Sequence, residues 1–198
     1  MEVKKLVLGE LRTNCYFVIN GNDCIVIDSA CYSNLILDFV KQNNLNIKAV
    51  LLTHGHFDHC SACKELQQNG ISVYMSKLEA DILKNNARDL GIRQSCVFTP
   101  DFIVNDGDIL NLIGLNFEVI LTSGHTEGSV CYKVNNYLFS GDTLFCGGYG
   151  RCDLFSGNFN KIKTSITEKL YTLNENTIVY PGHGETTTIK QEKMLNHF

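Results

Sequence analysis

The stretch Thr53-His54-Gly55-His56-Phe57-Asp58-His59 sets three imidazoles and a carboxylate directly behind the apolar run Ala49-Val50-Leu51-Leu52. That run is too short for a helix and reads as a strand delivering a loop. Buried without partners, so many polar atoms would cost free energy, and the cluster is a poor answer to a packing problem. It suits a cation, because imidazole and carboxylate are ligands for zinc and other first-row ions. In a loop, side chains two apart can turn to one ion while the next pair faces a second, so the spacing suits two metals. A solvated histidine-rich loop is the competing reading, and the remaining histidines weigh against it.

Three further pieces have the same character. Ser123-Gly124-His125-Thr126, Ser140-Gly141-Asp142-Thr143 and Pro181-Gly182-His183-Gly184 each follow an apolar, strand-like run. A ligand at the C-terminal end of a strand, beside a glycine that lets backbone come close, gathers side chains from distant sequence onto one sheet edge. Five of the six histidines are accounted for in this way, and His197, near the end of the chain, reads as a solvated surface residue.

The elements that must position these residues follow from periodicity and turn chemistry. Residues 3–9, 15–20 and 24–28 are strand-like, the last two split by Gly21-Asn22-Asp23 as in a hairpin. Asp28 closes the third run, where a carboxylate either supports a metal loop from behind or starts the next turn. Ser33 is an N-cap candidate for a helix carrying Leu35, Ile36, Phe39 and Val40, and 47–53 is the strand feeding the metal loop. A short helix is expected over 60–69, a strand over 71–75, and an amphipathic helix over 76–90 capped by Ser76 and ended by Gly91. Short β runs follow at Phe102–Val104, Ile109–Leu112, Phe117–Leu121, Val130–Val134 and Tyr137–Phe139. Then come a glycine-rich loop over 146–151, a helix near 160–173, a strand at Thr177–Tyr180 and a closing helix from Thr188. Both halves read as a meander, then helices and a strand, which hints at an internal duplication without a residue-level repeat. The architecture inferred is two sheets with helices outside.

Composition narrows the function. A chain of 198 residues, 44% hydrophobic and 19% charged, fits one globular domain with a core of its own, and no apolar run approaches the roughly 20 residues of a membrane span. A net charge of −4 and the lack of any basic cluster beyond Lys4-Lys5 argue against nucleic acid as a partner. Nine cysteines, an odd number without framework spacing, together with an N-terminus lacking a signal-peptide core, point to a reducing, cytoplasmic setting. Cys60 and Cys63 are spaced as a redox pair, but on a helix they share one face and are better read as buried thiols.

H-x-H-x-D-H, then Gly-His, then Gly-Asp-Thr, then Gly-His-Gly resembles the pattern of the metallo-β-lactamase superfamily over His54 to His183. Within it, Thr13-Asn14-Cys15-Tyr16, Gly141-Asp142-Thr143-Leu144-Phe145 and Gly150-Arg151-x-Asp153-Leu154 resemble the glyoxalase II group. The resemblance implies an α/β fold of αββα sandwich type, with two mixed β-sheets and helices on the outer faces. It implies one metal on His54, His56 and His125, another on Asp58, His59 and His183, and Asp142 bridging them. The cofactors expected are two divalent ions, zinc first, with iron or manganese also compatible. Common β-lactamases carry Cys where this chain has Asp142, which argues against β-lactams. Asp28-Ser29-Ala30 stands where relatives often have Asp-Pro-Gly, and Cys60-Ser61-Ala62 where they have a more glycine-rich helix start.

Two dications about 3.5–4 Å apart bring the pKa of a shared water toward neutrality, giving a nucleophile at pH 7. A thioester suits such a site because its thiolate, of pKa about 8.5, leaves with little need of an acid. The expected activity is hydrolysis of small acyl thioesters such as S-lactoylglutathione, with Asp58 orienting the nucleophile. Tyr149 and Arg151, just beyond Asp142, are candidate substrate contacts, Arg151 being alternatively paired with Asp153. The alternatives are a persulfide dioxygenase using one iron and a lactone or ester hydrolase. Longer glyoxalase II enzymes add a helical domain after the last histidine, whereas 15 residues follow His183 here, so weak selectivity for glutathione is expected.

Overall fold

The structure is a computed structural model that describes residues 1–196; His197 lies outside the described residues. The chain opens with an antiparallel meander of β1 (Glu2–Leu8), β2 (Thr13–Asn20) and β3 (Asp23–Ile27). Helix α1 (Ser33–Gln42) crosses to β4 (Asn46–Leu51), which pairs parallel with β3. The short helices α2 (Phe57–Cys60) and α3 (Cys63–Gln68) lead to β5 (Ser72–Ser76), and α4 (Lys77–Asn86) leads to β6 (Phe102–Val104). Both strands extend the sheet in parallel, giving the order β1-β2-β3-β4-β5-β6.

A second meander comprises β7 (Ile109–Leu112), β8 (Leu115–Leu121), β9 (Val130–Val134) and β10 (Tyr137–Gly141). A small hairpin, β11 (Leu144–Phe145) with β12 (Gly148–Tyr149), and helix α5 (Phe159–Thr164) come next. Strand β13 (Ile178–Pro181) returns parallel to β10, β14 (Thr187–Thr188) pairs antiparallel with β13, and α6 (Ile189–Leu195) follows. Each six-stranded sheet is thus a meander continued by a parallel crossover, the likeness between halves that the sequence hinted at.

Period-two burial explains the layers. On β2, Tyr16 and Val18 join Ile25, Ile27, Ala49 and Leu51 to meet Phe117, Val119, Tyr132 and Phe139 of the second sheet. Their neighbours Cys15, Phe17 and Ile19 face outward onto Ile36, Val40, Leu66 and Leu83 of α1, α3 and α4. Cys131, Leu138 and Val179 face the other way, onto Ile162, Ile166, Leu170 and Ile189. Helix, sheet, sheet, helix is the αββα sandwich expected, and strands buried on both faces explain their unbroken apolar runs.

The departures are local. The helix expected over 60–69 is split, because the Ala62 N–H leaves the ladder to donate to Ser29 O at 3.1 Å. Ser76 caps α4 as read, accepting from Glu79 N at 3.2 Å, but the helix ends at Asn86 and turns lead on to Gly91 at φ +76. Ser33 is not an N-cap, since Tyr32 holds that place and Ser33 Oγ donates to Glu65 Oε2 at 2.5 Å. The helix near 160–173 begins as α5 and loosens into a wide turn over Ser165–Lys169 and a tight one over Leu170–Thr172.

Candidate metal centre

The seven residues singled out by type and spacing converge at one rim, past the C-terminal ends of β4, β8, β10 and β13. His54 and His56 lie between β4 and α2, Asp58 and His59 in α2, His125 beyond β8, Asp142 immediately after β10 and His183 after β13. Two groups form: His54 with His56 and His125, and Asp58 with His59 and His183, the ligand atoms of each within 4.8 Å of one another.

In the first group His56 Nδ1 lies 2.8 Å from His125 Nε2. His125 donates its Nδ1–H to Arg151 O at 2.7 Å, and His54 Nδ1 is 3.0 Å from Thr53 Oγ1, so each presents Nε2 to the centre. Burial, reinforced by the neighbouring imidazoles, holds His54 well below its ordinary range and His56 at about 4, and burial lowers His125 too. These imidazoles are neutral, the form that binds metal.

In the second group His59 donates Nδ1–H to Asp28 Oδ2 at 2.8 Å and His183 to Leu11 O at 3.0 Å, again leaving Nε2 inward. Both Nε2 atoms lie 3.3 Å from Asp58 Oδ2. Burial opposes charge on His59 and His183, but carboxylates outweigh it. Asp142 and Asp28 hold His59 well above its usual range, and Asp142 and Asp58 raise His183 to about 9. Burial likewise opposes ionisation of Asp58, yet His183, His59 and Thr13 hold it far below the carboxylate range. Asp142 faces both groups, with Oδ1 3.4 Å from His59 Nε2 and Oδ2 3.6 Å from His125 Nε2 and 3.5 Å from His183 Nε2.

These residues fit a pair of cations. His54 Nε2 and Asp142 Oδ1 face the centre buried and without a hydrogen-bond partner, and buried polar atoms are ordinarily completed by one, while His56 turns Nδ1 toward the same space. The backbone leaves the space clear as well, since a Cβ on Gly182 would fall 2.2 Å from Asp142 Oδ1 and 2.7 Å from His59 Cε1. The first group can hold one ion, the second another, with Asp142 between them.

The supporting contacts were less legible. Asp28, at φ +58, accepts from Thr53 N at 2.8 Å, Thr53 Oγ1 at 2.7 Å and His59 Nδ1, which settles its reading as a support for the metal loop. Thr13 Oγ1 donates to Asp58 Oδ2 at 2.7 Å. Asn14 Nδ2 and Tyr16 OH both donate to Pro181 O, at 2.9 and 2.7 Å, and tie β2 to the turn that carries His183. Glu79, wholly buried, holds Gly55 N and Thr126 Oγ1.

A cleft of about 560 Å³ opens over the centre, with Leu11, Phe57, Leu90, Phe145 and Leu154 as its apolar walls. Arg151 reaches this cleft, but its guanidinium is held by Asp153 through Nε–Oδ1 at 2.7 Å and Nη2–Oδ2 at 2.9 Å, the structural pairing. Its backbone oxygen orients His125. Tyr149 lies on β12 with its ring 6.0 Å from that of Phe159, while Phe145 on the facing strand of the hairpin lines the cleft. All nine cysteines are free thiols; Cys60 and Cys63 are buried in separate helices, and burial raises both, Cys63 to about 12.

Comparison with known proteins agrees with this geometry. The chain is 37% identical over 206 residues to the probable metallo-hydrolase YqgX of Bacillus subtilis, covering 100% of this chain and 97% of that one. It is 34% identical over 207 residues to hydroxyacylglutathione hydrolase GloC of Haemophilus influenzae, covering 100% and 98%. The crystal structure of the BLEG-1 B3 metallo-beta-lactamase superposes with a TM-score of 0.89 at 33% identity, covering 98% and 97%. The family model described as the metallo-beta-lactamase superfamily matches residues 8–183. The chain belongs to the metallo-β-lactamase superfamily.

Proposed function

We propose that this metallo-hydrolase cleaves small acyl thioesters with two divalent ions, the first held by His54, His56 and His125, the second by Asp58, His59 and His183, and both by Asp142. The observation carrying the proposal is the carboxylate of Asp142, placed between two groups whose inward nitrogens lie 3.4–3.6 Å from it. When bound, such a pair supplies an acidified water and a Lewis acid for the carbonyl oxygen. Zinc suits the nitrogen and carboxylate donors, which also accept iron and manganese.

The chain's own residues do the rest. Asp58, ionised and fixed by Thr13, orients the attacking water by accepting its hydrogen bond. Asp28 and the carbonyl oxygens of Leu11 and Arg151 fix the tautomers of His59, His183 and His125, so that no ligand nitrogen carries a proton during turnover. Leu11, Phe57, Leu90, Phe145 and Leu154 take up the acyl and thiol chains and exclude bulk water from the carbonyl. The departing thiolate needs no protein acid. GloC, a hydroxyacylglutathione hydrolase by name, is of this class, and the unpaired thiols suit a reducing, cytoplasmic compartment.

The test is a parallel assay of purified, metal-reconstituted enzyme on acyl thioesters, on a persulfide with oxygen uptake recorded, on lactones and on β-lactams. Thioester hydrolysis should exceed the others in kcat/KM by at least tenfold. Persulfide-dependent oxygen uptake without thioester cleavage, or faster β-lactam or lactone opening, would overturn the reading.

A further inference from the structure

We infer that Glu79, on α4 and remote in sequence from every candidate ligand, is a positioning residue for the three-histidine ion. The inference rests on the metal-centre reading above and deepens it. Glu79 is 0% exposed and has no ion pair among the described residues, an expensive position for a carboxylate unless its contacts have a use. Its Oε1 accepts from the N–H of Gly55 at 2.9 Å, and its Oε2 from Thr126 Oγ1 at 2.8 Å. Gly55 separates His54 from His56, and Thr126 follows His125, so one carboxylate fixes both segments that carry the three imidazoles. Thr126 Oγ1 also pairs with Ser129 Oγ at 2.7 Å, extending the hold through the His125 turn.

Glycine at position 55 follows from this contact. A Cβ there would sit 3.1 Å from Glu79 Oε1 and 3.1 Å from Leu90 Cδ1, so a side chain would crowd the carboxylate and make it give by a few tenths of an ångström. Gly128 is more tightly constrained, since a Cβ there would fall 2.4 Å from Glu79 N and 2.7 Å from Glu79 Oε2. The fit also makes electrostatic sense. The three histidines bring no charge of their own to a dication, whereas the other group contains Asp58 and has Asp28 behind His59. Burial raises the Glu79 carboxyl above its usual range, the bonds from Thr126 Oγ1 and the Gly55 N–H oppose that shift, and a dication at the three histidines would favour its charged form across the low-dielectric interior.

The substitution Glu79→Gln preserves shape. Its amide oxygen can take the Gly55 N–H and its nitrogen can meet a reoriented Thr126 hydroxyl, but the charge is gone. Zinc affinity would be measured by competition with a chromophoric chelator in two backgrounds: His183→Ala, which leaves the three-histidine group, and His56→Ala, which leaves the other. Glu79→Gln should weaken zinc by 10–100-fold in the first background, the range typical of groups that orient ligands, and by less than threefold in the second. Wild-type affinity in both backgrounds, or equal losses in both that track a lowered melting temperature, would overturn the inference. Should Glu79→Gln not fold, Thr126→Val decides, since it removes one donor and keeps the charge: a loss of at least threefold confined to the His183→Ala background supports the role, and no loss there overturns it. A wild-type chain that takes up two zinc ions while Glu79→Gln binds as well sinks this inference alone; a wild-type chain that takes up none sinks the metal-centre reading with it.

Discussion

Replacing Asp28 by Asn tests how far the site depends on a residue that touches no substrate. Asp28 adopts φ +58, a conformation Asn tolerates, so the exchange changes charge and donor pattern with little backbone strain. The carboxylate takes three hydrogen bonds, from Thr53 N at 2.8 Å, Thr53 Oγ1 at 2.7 Å and His59 Nδ1 at 2.8 Å. An amide oxygen can keep the Thr53 N–H, and the Thr53 hydroxyl can rotate, but the amide nitrogen cannot accept from His59. His59 must then turn Nδ1 into an acceptor and move its proton to Nε2, the atom aimed at the centre. Metal binding has to reverse that tautomer, and the expected cost is about 1.4–2.7 kcal/mol, or 10–100-fold in affinity at the group of Asp58, His59 and His183. The assay is chelator competition for zinc, with melting temperature as a control for folding. Two unchanged dissociation constants in a folded Asp28→Asn protein would refute the argument that Asp28 sets the His59 tautomer.

Other substitutions and conditions separate the site from its surroundings. Asp142→Ala removes the carboxylate between the two groups and should lower kcat by about 10³-fold or more, whereas Arg151→Ala, whose guanidinium is held by exposed Asp153, should stay within about threefold; equal losses would show that one of them is misassigned. In chelator-treated protein, His183 is raised from its usual 6.5 to about 9, so its stabilising charge is fully present below about 6.5 and lost as pH rises through about 9. The melting temperature of metal-free protein should therefore fall over that window, and zinc-loaded protein should not follow; a flat or rising metal-free profile would contradict the assignment. A thiol reagent should label Cys96 and Cys146 quickly in native protein and reach Cys15, Cys24, Cys60, Cys63 and Cys131 only on unfolding, so rapid labelling of Cys60 or Cys63 would revive the redox reading.

The residues of the centre were readable because their types are wrong for any core and their positions coincide with strand ends. Histidine and aspartate after apolar runs at 53–59, 123–126, 140–143 and 181–184 have few other uses. The strands were legible for the same reason, their apolar runs being unbroken where both faces are buried. What stayed hidden depends on contacts across the fold. Glu79 in an amphipathic helix looks like any exposed glutamate until Gly55 and Thr126 are seen on either side of it. Tyr149 reads from the sequence as a substrate contact, whereas Phe145 lines the cleft, a difference set by the register of a two-residue hairpin that no periodicity reports. The break at Ser61-Ala62 depends on Ser29 O, a partner from another segment.

The most direct test of the account is thioester hydrolysis by metal-stripped protein as zinc is added in measured equivalents, with bound metal checked by elemental analysis. The account expects no activity without metal and a rate that climbs to its plateau at two bound ions per chain, because the carbonyl and the attacking water need Asp142 and both groups together. A plateau at one ion per chain, or undiminished hydrolysis by protein free of metal, would contradict it.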